Sequence, residues 1–200
     1  RFAVLTTLRN QVPTPAAAPS RGQLVTDFLT SDSPSEQWIE AQRYNASRYA
    51  GFNLLVGELG GPLHLLSNSP NDNHTRRTLS VGIHAISNGP IDEPWPKTQQ
   101  LIAALQAVED PSNTNALRQL LEDTNLPPDT LLPRTGVGLE LERQLAPRLI
   151  IGERYGTRST TVVQLRSSGQ LCVTEFTRAR DGQVLGQQAF ECILDGAAAR

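Results

Sequence analysis

Two β-rich runs near the carboxyl end of the chain constrain its fold more than any other feature. The runs span residues 160–166 and 171–177, and Ser-Ser-Gly lies between them. Apolar and β-branched runs on either side of a glycine-containing turn are typical of an antiparallel hairpin. If Ser168-Gly169 forms a two-residue turn, side-chain alternation puts one apolar face in a core. That predicted core face carries Thr161, Val163, Leu165, Cys172, Thr174 and Phe176.

The opposite face of the hairpin is more polar. Extending the side-chain alternation of the first strand towards the amino end puts Arg158 on this polar face. An arginine at a strand entrance, just behind Tyr155-Gly156-Thr157, would present a planar set of donors to a carboxylate or an oxyanion. On residue type alone, an arginine solvated at a strand end is the commoner interpretation. Arg158 is therefore a candidate site residue, and both interpretations stay open.

Length and composition predict one soluble domain with a sizeable core. The chain has 200 residues, of which 38% are hydrophobic and 19% are charged. A net charge of −2 and a pI near 5.9 give no electrostatic reason to expect nucleic acid or an anionic membrane as a partner. No apolar run approaches ~18 residues, so we expect no integral membrane segment.

The cysteines and the amino end suggest a reducing compartment and a missing upstream part. Cys172 and Cys192 are too few for a disulfide framework, so buried free thiols are favoured over a bridge between neighbouring strands. The chain begins at Arg1 within an apolar alternation and contains no methionine, so we expect further polypeptide before it.

The remaining patterns place strands and helices in alternating blocks. Strands are predicted at 2–7, 51–59, 63–67, 79–88 and 188–194. A first helix is predicted at 22–29, and a second helix ends at about Ser47. Three more helices are predicted after Lys97, around Leu117 and at 139–145. Ser33-Pro34-Ser35-Glu36 has the form of a capping box for the second helix, with Ser33 as the cap. Antiparallel strands clustered around a helical block predict an α+β fold rather than a doubly wound parallel sheet.

Asn88 is a candidate catalytic residue because it ends the predicted strand 79–88 just before Gly89-Pro90. Its amide could stabilise a developing oxyanion, a role worth roughly 2.7–4 kcal/mol where one such donor has been removed. The alternative is that Asn88 makes hydrogen bonds within its own turn.

Other polar and aromatic residues carry weaker signals. Trp95 is more typical of a core anchor than of a ligand platform. Lys97, the only lysine, lies near a helix start where the dipole disfavours a cation, so it is either paired with an anionic partner or solvated. The three histidines, ten residues apart, have no cysteine or carboxylate at ligand spacing, and no metal site is predicted. They are His64, His74 and His84.

Six strings taken together resemble the NRDE family, also called the Transport and Golgi Organisation protein 2 family. They occur in the family's order and cover nearly the whole chain, and the fourth and sixth are the most specific. They are R-F-A-V-L-T-T-L-R (1–9), R-G-Q-L-V-T-D-F-L (21–29), Y-A-G-F-N-L-L-V-G (49–57), S-N-G-P-I-D-E-P-W-P-K (87–97), T-G-V-G-L-E-L-E-R (135–143) and Y-G-T-R-S-T-T-V (155–162).

The resemblance implies a fold and a set of site residues. Members are taken to share the α-β-β-α sandwich of the N-terminal nucleophile hydrolases, so residues 1–200 are expected to be a single NRDE-type domain that lacks its first strands. By motif, Asn88 matches the asparagine after the central strand and Arg158 the late arginine, and the two are expected to converge on one pocket. Thr7 stands where the family's opening strand usually has asparagine, so half of the expected oxyanion pair is altered. Ligand-binding positions are expected at Trp95, Lys97, Tyr155 and Asn53.

Two functions follow as expectations from the resemblance. The first is cytoplasmic ligand handling, with haem or acyl-coenzyme A or lipid as the small-molecule partner; no cofactor is certain, and haem enters as a candidate cargo. The second is a cysteine-dependent amidase or acylase that cleaves a non-peptide C–N bond. The family's Met-Cys start and Asn-Arg-Asp-Glu signature would lie upstream of Arg1, so this stretch alone is expected to be inert as a hydrolase. A non-catalytic structural relative is the third alternative.

Overall fold

A computed structural model describes residues 1–9, 14–69 and 76–194, in which helices and antiparallel strands form an α+β fold. The chain divides into two compact units. The amino-terminal unit contains Arg1–Glu93 and Thr135–Val137, and the carboxy-terminal unit contains Pro94–Arg134 and Gly138–Arg200.

The amino-terminal unit is a four-stranded antiparallel sheet with two helices packed on one face. Its strands, in sheet order, are β1 (Phe2–Thr7), β2 (Phe52–Gly57), β3 (Leu63–Ser67) and β4 (Arg76–Thr78). The helices are α1 (Gly22–Thr30) and α2 (Ser35–Arg43). Alternate residues of β2 point to the helices because side chains alternate along a strand. The resulting core contains Leu24, Phe28, Trp38, Ile39, Ala46, Phe52, Leu54, Val56 and Leu66.

The carboxy-terminal unit combines three helices with a three-stranded antiparallel sheet. The helices are α3 (Pro96–Gln106), α4 (Thr114–Gln119) and α5 (Leu139–Gln144), and the strands, in sheet order, are β5 (Ser159–Leu165), β6 (Gln170–Arg178) and β7 (Val184–Ile193). Apart from the differences described in the following paragraphs, the strands and helices expected from sequence are confirmed, although β7 begins at Val184, four residues before its expected start.

The predicted core face of the β5–β6 hairpin is wrong by one residue in β5 and confirmed in β6, where Cys172 and Phe176 are buried. A three-residue loop joins the strands, because the Arg166 N–H donates to the Gln170 carbonyl at 2.9 Å and Gly169 takes a φ of 81°. This register pairs Val162 with Thr174, and it buries Val162 (7% exposed) while Val163 is 45% exposed. A slip of one residue moves every side chain of a strand to the other face.

The strand predicted at 79–88 is also wrong. The extra strand of the sheet is β4, which ends at Thr78, and residues 79–95 contain no helix or strand. Val81 is fully exposed and Gly82 has a φ of 153°, so the chain leaves the sheet at this point. Val81 and Ile83 of its apolar alternation are exposed, whereas Ala85 is buried without strand pairing.

The side chains of the expected capping box serve other contacts. α2 begins at Ser35 after Pro34, without a side-chain cap. The Ser35 hydroxyl donates to Glu58 Oε2 at 2.6 Å, and Glu36 is 2.7 Å from Arg76. α2 also ends earlier than expected, at Arg43, and a 3-10 turn at Ala46–Arg48 follows it.

Candidate functional site

Thr7 and Asn88 lie together at the end of β1, although they are distant in sequence. The Asn88 Nδ2 donates to the Thr7 carbonyl at 2.9 Å and lies 3.3 Å from the Thr7 hydroxyl oxygen. The Arg9 N–H donates to the Asn88 carbonyl at 2.7 Å, which extends the contact beyond β1. Thr7 is exposed and Asn88 half-buried, so this pair is open to solvent.

Asn53 lies on β2, one strand further into the sheet, and is fully buried. Its Nδ2 donates to the Thr6 hydroxyl at 3.1 Å and to the Gly89 carbonyl at 2.8 Å. Its Oδ1 has no hydrogen-bond partner among the residues that the structure describes. A buried unsatisfied acceptor costs roughly 1–3 kcal/mol, so Asn53 is an unusual choice for a purely structural position. We call Thr6, Thr7, Asn53 and Asn88 the strand-end site.

Tyr155 and Arg158 belong to a tight loop before β5. The Thr157 N–H donates to the Ile150 carbonyl at 2.8 Å, and the Ile150 N–H donates to the Thr157 hydroxyl at 3.1 Å. A Cβ at Gly156 would lie 2.8 Å from the Ile150 carbonyl oxygen, so only glycine fits there. The Tyr-Gly-Thr-Arg string is thus explained by the loop, which leaves Tyr155 66% exposed.

The Arg158 guanidinium is exposed and weakly held. Its Nη2 lies 3.4 Å from the Gly152 carbonyl, at the long end of hydrogen-bond distances. The neighbouring Arg154 is exposed as well. Two guanidinium groups and an aromatic ring therefore share one exposed loop, which we call the arginine–tyrosine loop (Gly152, Arg154, Tyr155 and Arg158).

Trp95 and Lys97 are used inside the carboxy-terminal unit. Trp95 is buried, and the Lys97 Nζ lies 5.9 Å from the centre of its ring. The Lys97 Nζ also donates to the Leu145 carbonyl at 3.0 Å, at the end of α5. A cation at a helix carboxyl end is stabilised by the helix dipole. Lys97 thus has a partner that sequence inspection did not consider, a backbone carbonyl.

Cys172 does not have the environment of a nucleophile. Cys172 and Cys192 are free, and Cys172 is buried. Burial, with a further contribution from nearby Glu191, raises the pKa of the Cys172 thiol. Because the thiolate is the reactive form, a raised pKa makes this thiol inert near neutral pH.

The histidines do not assemble a metal site in the part of the chain that the structure describes. The His64 Nδ1 lies 2.9 Å from the Thr78 hydroxyl within the sheet, whereas the His84 ring lies in the loop before Asn88. His74 falls outside the described residues. Within residues 1–9, 14–69 and 76–194, every helix is too short or too polar to cross a membrane.

The comparison with protein families decides what the chain is related to. Residues 1–180 match the family described as Transport and Golgi organisation 2. The chain belongs to this family. The expected resemblance is therefore confirmed at the family level.

Three mammalian members of the Transport and Golgi organisation 2 family illustrate the relationship. The chain is 25% identical over 173 residues to the mouse Transport and Golgi organization 2 homolog, 25% identical over 172 residues to the human homolog, and 28% identical over 174 residues to the bovine homolog. Each match covers 79% of this chain and 62% of the relative. The chain thus matches less than two thirds of the length of these family members.

Sequence reasoning missed Thr6 in the strand-end site. Thr6 pairs with Asn53, which in turn pairs with Ser67, so three polar side chains cross three strands on one face. The strand boundaries together with the β1–β2 register would have been enough to find this row, because Thr6 then lies directly opposite Asn53.

Proposed function

We propose that the protein handles a small-molecule ligand, haem or an acyl-coenzyme A or lipid, in the cytosol, on the α-β-β-α scaffold of the N-terminal nucleophile hydrolases. The scaffold, the ligands and the location come from the family resemblance. The geometry of the two units supports binding over hydrolysis, for the reasons that follow.

One observation carries this preference: the Asn88 amide is already bonded to the protein itself. Its Nδ2 donates to the Thr7 carbonyl at 2.9 Å. An oxyanion donor must point at the place where charge develops, with its hydrogens available to the substrate.

The arginine–tyrosine loop supports an anionic, partly planar ligand. Guanidinium groups bind carboxylates and phosphates with paired hydrogen bonds. Haem carries carboxylates on a flat ring, and acyl-coenzyme A carries phosphates and a base. An exposed tyrosine beside two exposed arginines suits both kinds of group.

Titration of the full-length protein with haemin and with palmitoyl-coenzyme A tests this function. We expect saturable binding of at least one ligand, and a roughly tenfold or greater loss of affinity for Arg158→Gln, since a charge-assisted hydrogen bond contributes about 1.5–3 kcal/mol. Arg166→Gln removes the same charge at the exposed β5–β6 turn and should leave the affinity unchanged. Absence of saturable binding for both ligands would overturn the proposal.

A second candidate function, an N-terminal nucleophile amidase or acylase, is favoured by the closeness of two donors. The Thr7 hydroxyl and the Asn88 amide are 3.3 Å apart at an exposed strand end, which would suit two contacts to one oxyanion. In that case the full-length protein releases amine from acylated amines, and Asn88→Ala lowers kcat by about 10²–10³. Asn125→Ala, at an exposed loop amide, is the matched control. No amine release from the unmodified protein would remove this candidate.

A further inference from the structure

The imidazole of His84 is held between two acceptors. Its Nδ1 lies 2.8 Å from Asp92 Oδ2, and its Nε2 lies 2.9 Å from the Ser80 carbonyl oxygen. A neutral imidazole donates through only one of its nitrogens and presents a lone pair at the other. In the neutral ring, one of these two contacts would place a lone pair against an oxygen. Only the imidazolium satisfies both.

Asp92 closes the segment 85–92 into a loop. The Asp92 N–H donates to the Ala85 carbonyl at 2.8 Å, and the Ala85 N–H donates to Asp92 Oδ1 at 2.9 Å. Asp92 has a φ of 59°, the one non-glycine residue with positive φ among those described. Non-glycine residues adopt this conformation at a cost, which surrounding bonds must offset. We call residues 84–92 the Asn88 loop.

The tip of the Asn88 loop makes the contacts of the strand-end site. Asn88 contacts Thr7 and Arg9, and the Gly89 carbonyl accepts from Asn53. The base of the loop is closed by His84 and Asp92. Breaking the contact between His84 and Asp92 therefore acts on the same short segment that positions Asn88.

The charged groups around His84 favour its protonated form. Hydrogen bonds to Asp92 and to the Ser80 carbonyl raise the pKa of His84 above its ordinary value of 6.5, against the opposing effects of burial and of Arg77 in β4. Burial tends to raise the pKa of Asp92, but the bonds from His84 and Ala85 outweigh it, and the pKa of this carboxyl is lowered from 3.8. His84 and Asp92 are only partly exposed, so solvent screens the pair incompletely.

We propose that His84 and Asp92 form a pH-sensitive clasp that holds the Asn88 loop on the end of β1. The direction in which pH opens the clasp follows from the pKa shifts of the two residues. The contribution of His84 is complete below its ordinary value and is lost as pH rises through its raised folded value, and the contribution of Asp92 is lost only as pH falls through its lowered value. The clasp is therefore closed between the lowered pKa of Asp92 and the raised pKa of His84, and it opens as pH rises through the latter. It operates whichever ligand the strand-end site takes.

An NMR titration of the full-length protein, labelled with ¹⁵N, tests the clasp. We expect the side-chain amide of Asn88 and the backbone amide of Arg9 to change chemical shift with the same midpoint as the His84 ring. The hydrogen-exchange protection factor of the Arg9 amide should fall about tenfold for each unit by which the His84 pKa exceeds 6.5, since loop opening and deprotonation are linked. This measurement requires no variant.

Two variants and one control complete the test. His84→Gln and Asp92→Asn should each abolish the transition at Asn88 and Arg9. Asp32→Asn removes the same charge at an exposed position between α1 and α2 and should preserve it. Three results would each overturn the clasp: Arg9 protection that does not change through the His84 midpoint, a transition that survives in His84→Gln, or a transition that is also lost in Asp32→Asn.

Discussion

Arg178 shows how one buried charge organises the carboxy-terminal unit. Only 1% of its side chain is exposed, and all three guanidinium nitrogens have partners. Nε donates to the Thr160 hydroxyl at 2.9 Å, Nη1 to the Gly182 carbonyl at 3.0 Å and Nη2 to Glu122 Oε1 at 2.9 Å. Glu122 also pairs with Arg118. A buried ion pair is stabilising only when its remaining hydrogen bonds are satisfied, as they are for this guanidinium.

Replacing Arg178 should be costly because its partners stay behind. Arg178→Met leaves the Thr160 hydroxyl and the Gly182 carbonyl without this donor and Glu122 with Arg118 alone. We expect a loss of about 3 kcal/mol in the free energy of unfolding, measured by urea denaturation. Arg180→Met, two residues away, is the control: its side chain is 71% exposed and its pair with Glu153 is at the surface, so a change below about 1 kcal/mol is expected. Equal losses in both variants would contradict this role for Arg178.

The β5–β6 hairpin shows how much depends on a single loop residue. With a two-residue turn the core face would contain Val163, whereas the observed three-residue loop puts Val162 there. Both interpretations fit the same composition, because both faces of β5 contain threonine and valine. Sequence pattern could identify the hairpin but had too little contrast between the faces to fix its register.

Adjacent valines give a direct test of that register. Val162→Ala removes buried methyl groups and should lower the free energy of unfolding by about 2 kcal/mol. Val163→Ala makes the same chemical change on the exposed face, and we expect it to cost less than about 1 kcal/mol, mainly through strand propensity. Denaturation of the two variants side by side decides the register, since the reverse order of losses would support the two-residue turn.

The loop itself depends on Gly169. Its φ of 81° lies in the left-handed region, so Gly169→Ala should cost about 1–2 kcal/mol of stability. Gly186→Ala in β7 is the matched control, because its backbone has no positive φ and a Cβ there would meet open space. That change should be neutral or slightly stabilising by up to about 1 kcal/mol. Thermal unfolding of both variants measures the difference, and a neutral Gly169→Ala would contradict the loop conformation.

A strand predicted from alternation was correct where a neighbouring strand was available to pair with it. The pattern at 2–7 gave β1 with its observed bounds, and the runs at 51–59 and 63–67 gave a hairpin, because each strand pairs with its neighbour in the sheet. The alternation at 79–88 looked equally strand-like, but β3 already pairs with β4 on that side. Strand pairing is a property of the sheet, and local alternation does not encode which segment reaches the edge first.

The candidate site was predicted unevenly for a similar reason. Family strings identified Thr7 and Asn88, which the structure brings together. They gave no sign that Lys97 donates to the Leu145 carbonyl, because a backbone acceptor leaves no mark in the sequence. The expected approach of Asn88 to Arg158 stays a prediction, and a double-mutant cycle on ligand affinity in the full-length protein would measure their coupling.

Across the whole chain, carboxylates with lowered pKa are spread over both units. Hydrogen bonds and charges from Arg76, Ser112 and Arg143 lower the pKa values of Glu36, Asp110 and Asp129 respectively. For Glu58 and Asp92, burial acts in the opposite direction, but hydrogen bonds from Ser35 and His84 outweigh it. These five carboxylates all have lowered pKa values, so their contributions to the pH dependence of folding have the same sign.

The sign of this effect predicts a stability maximum in mildly acidic solution. A carboxyl with a lowered pKa contributes stability above its unfolded-state value, near pH 4, and loses it as pH falls through the lower folded value. His84 acts in the opposite sense, because its raised pKa means that its contribution is lost as pH rises above about 6.5. The urea midpoint should therefore fall steadily from about pH 5 to pH 2, and more weakly above pH 7.

Repeating the series in about 1 M salt should flatten the acid limb, since the Debye length falls to about 3 Å and most of these pairs are exposed. An acid limb that is absent at low salt, or unchanged by salt, would show that these ion pairs contribute nothing measurable and that the fold rests on its apolar core alone.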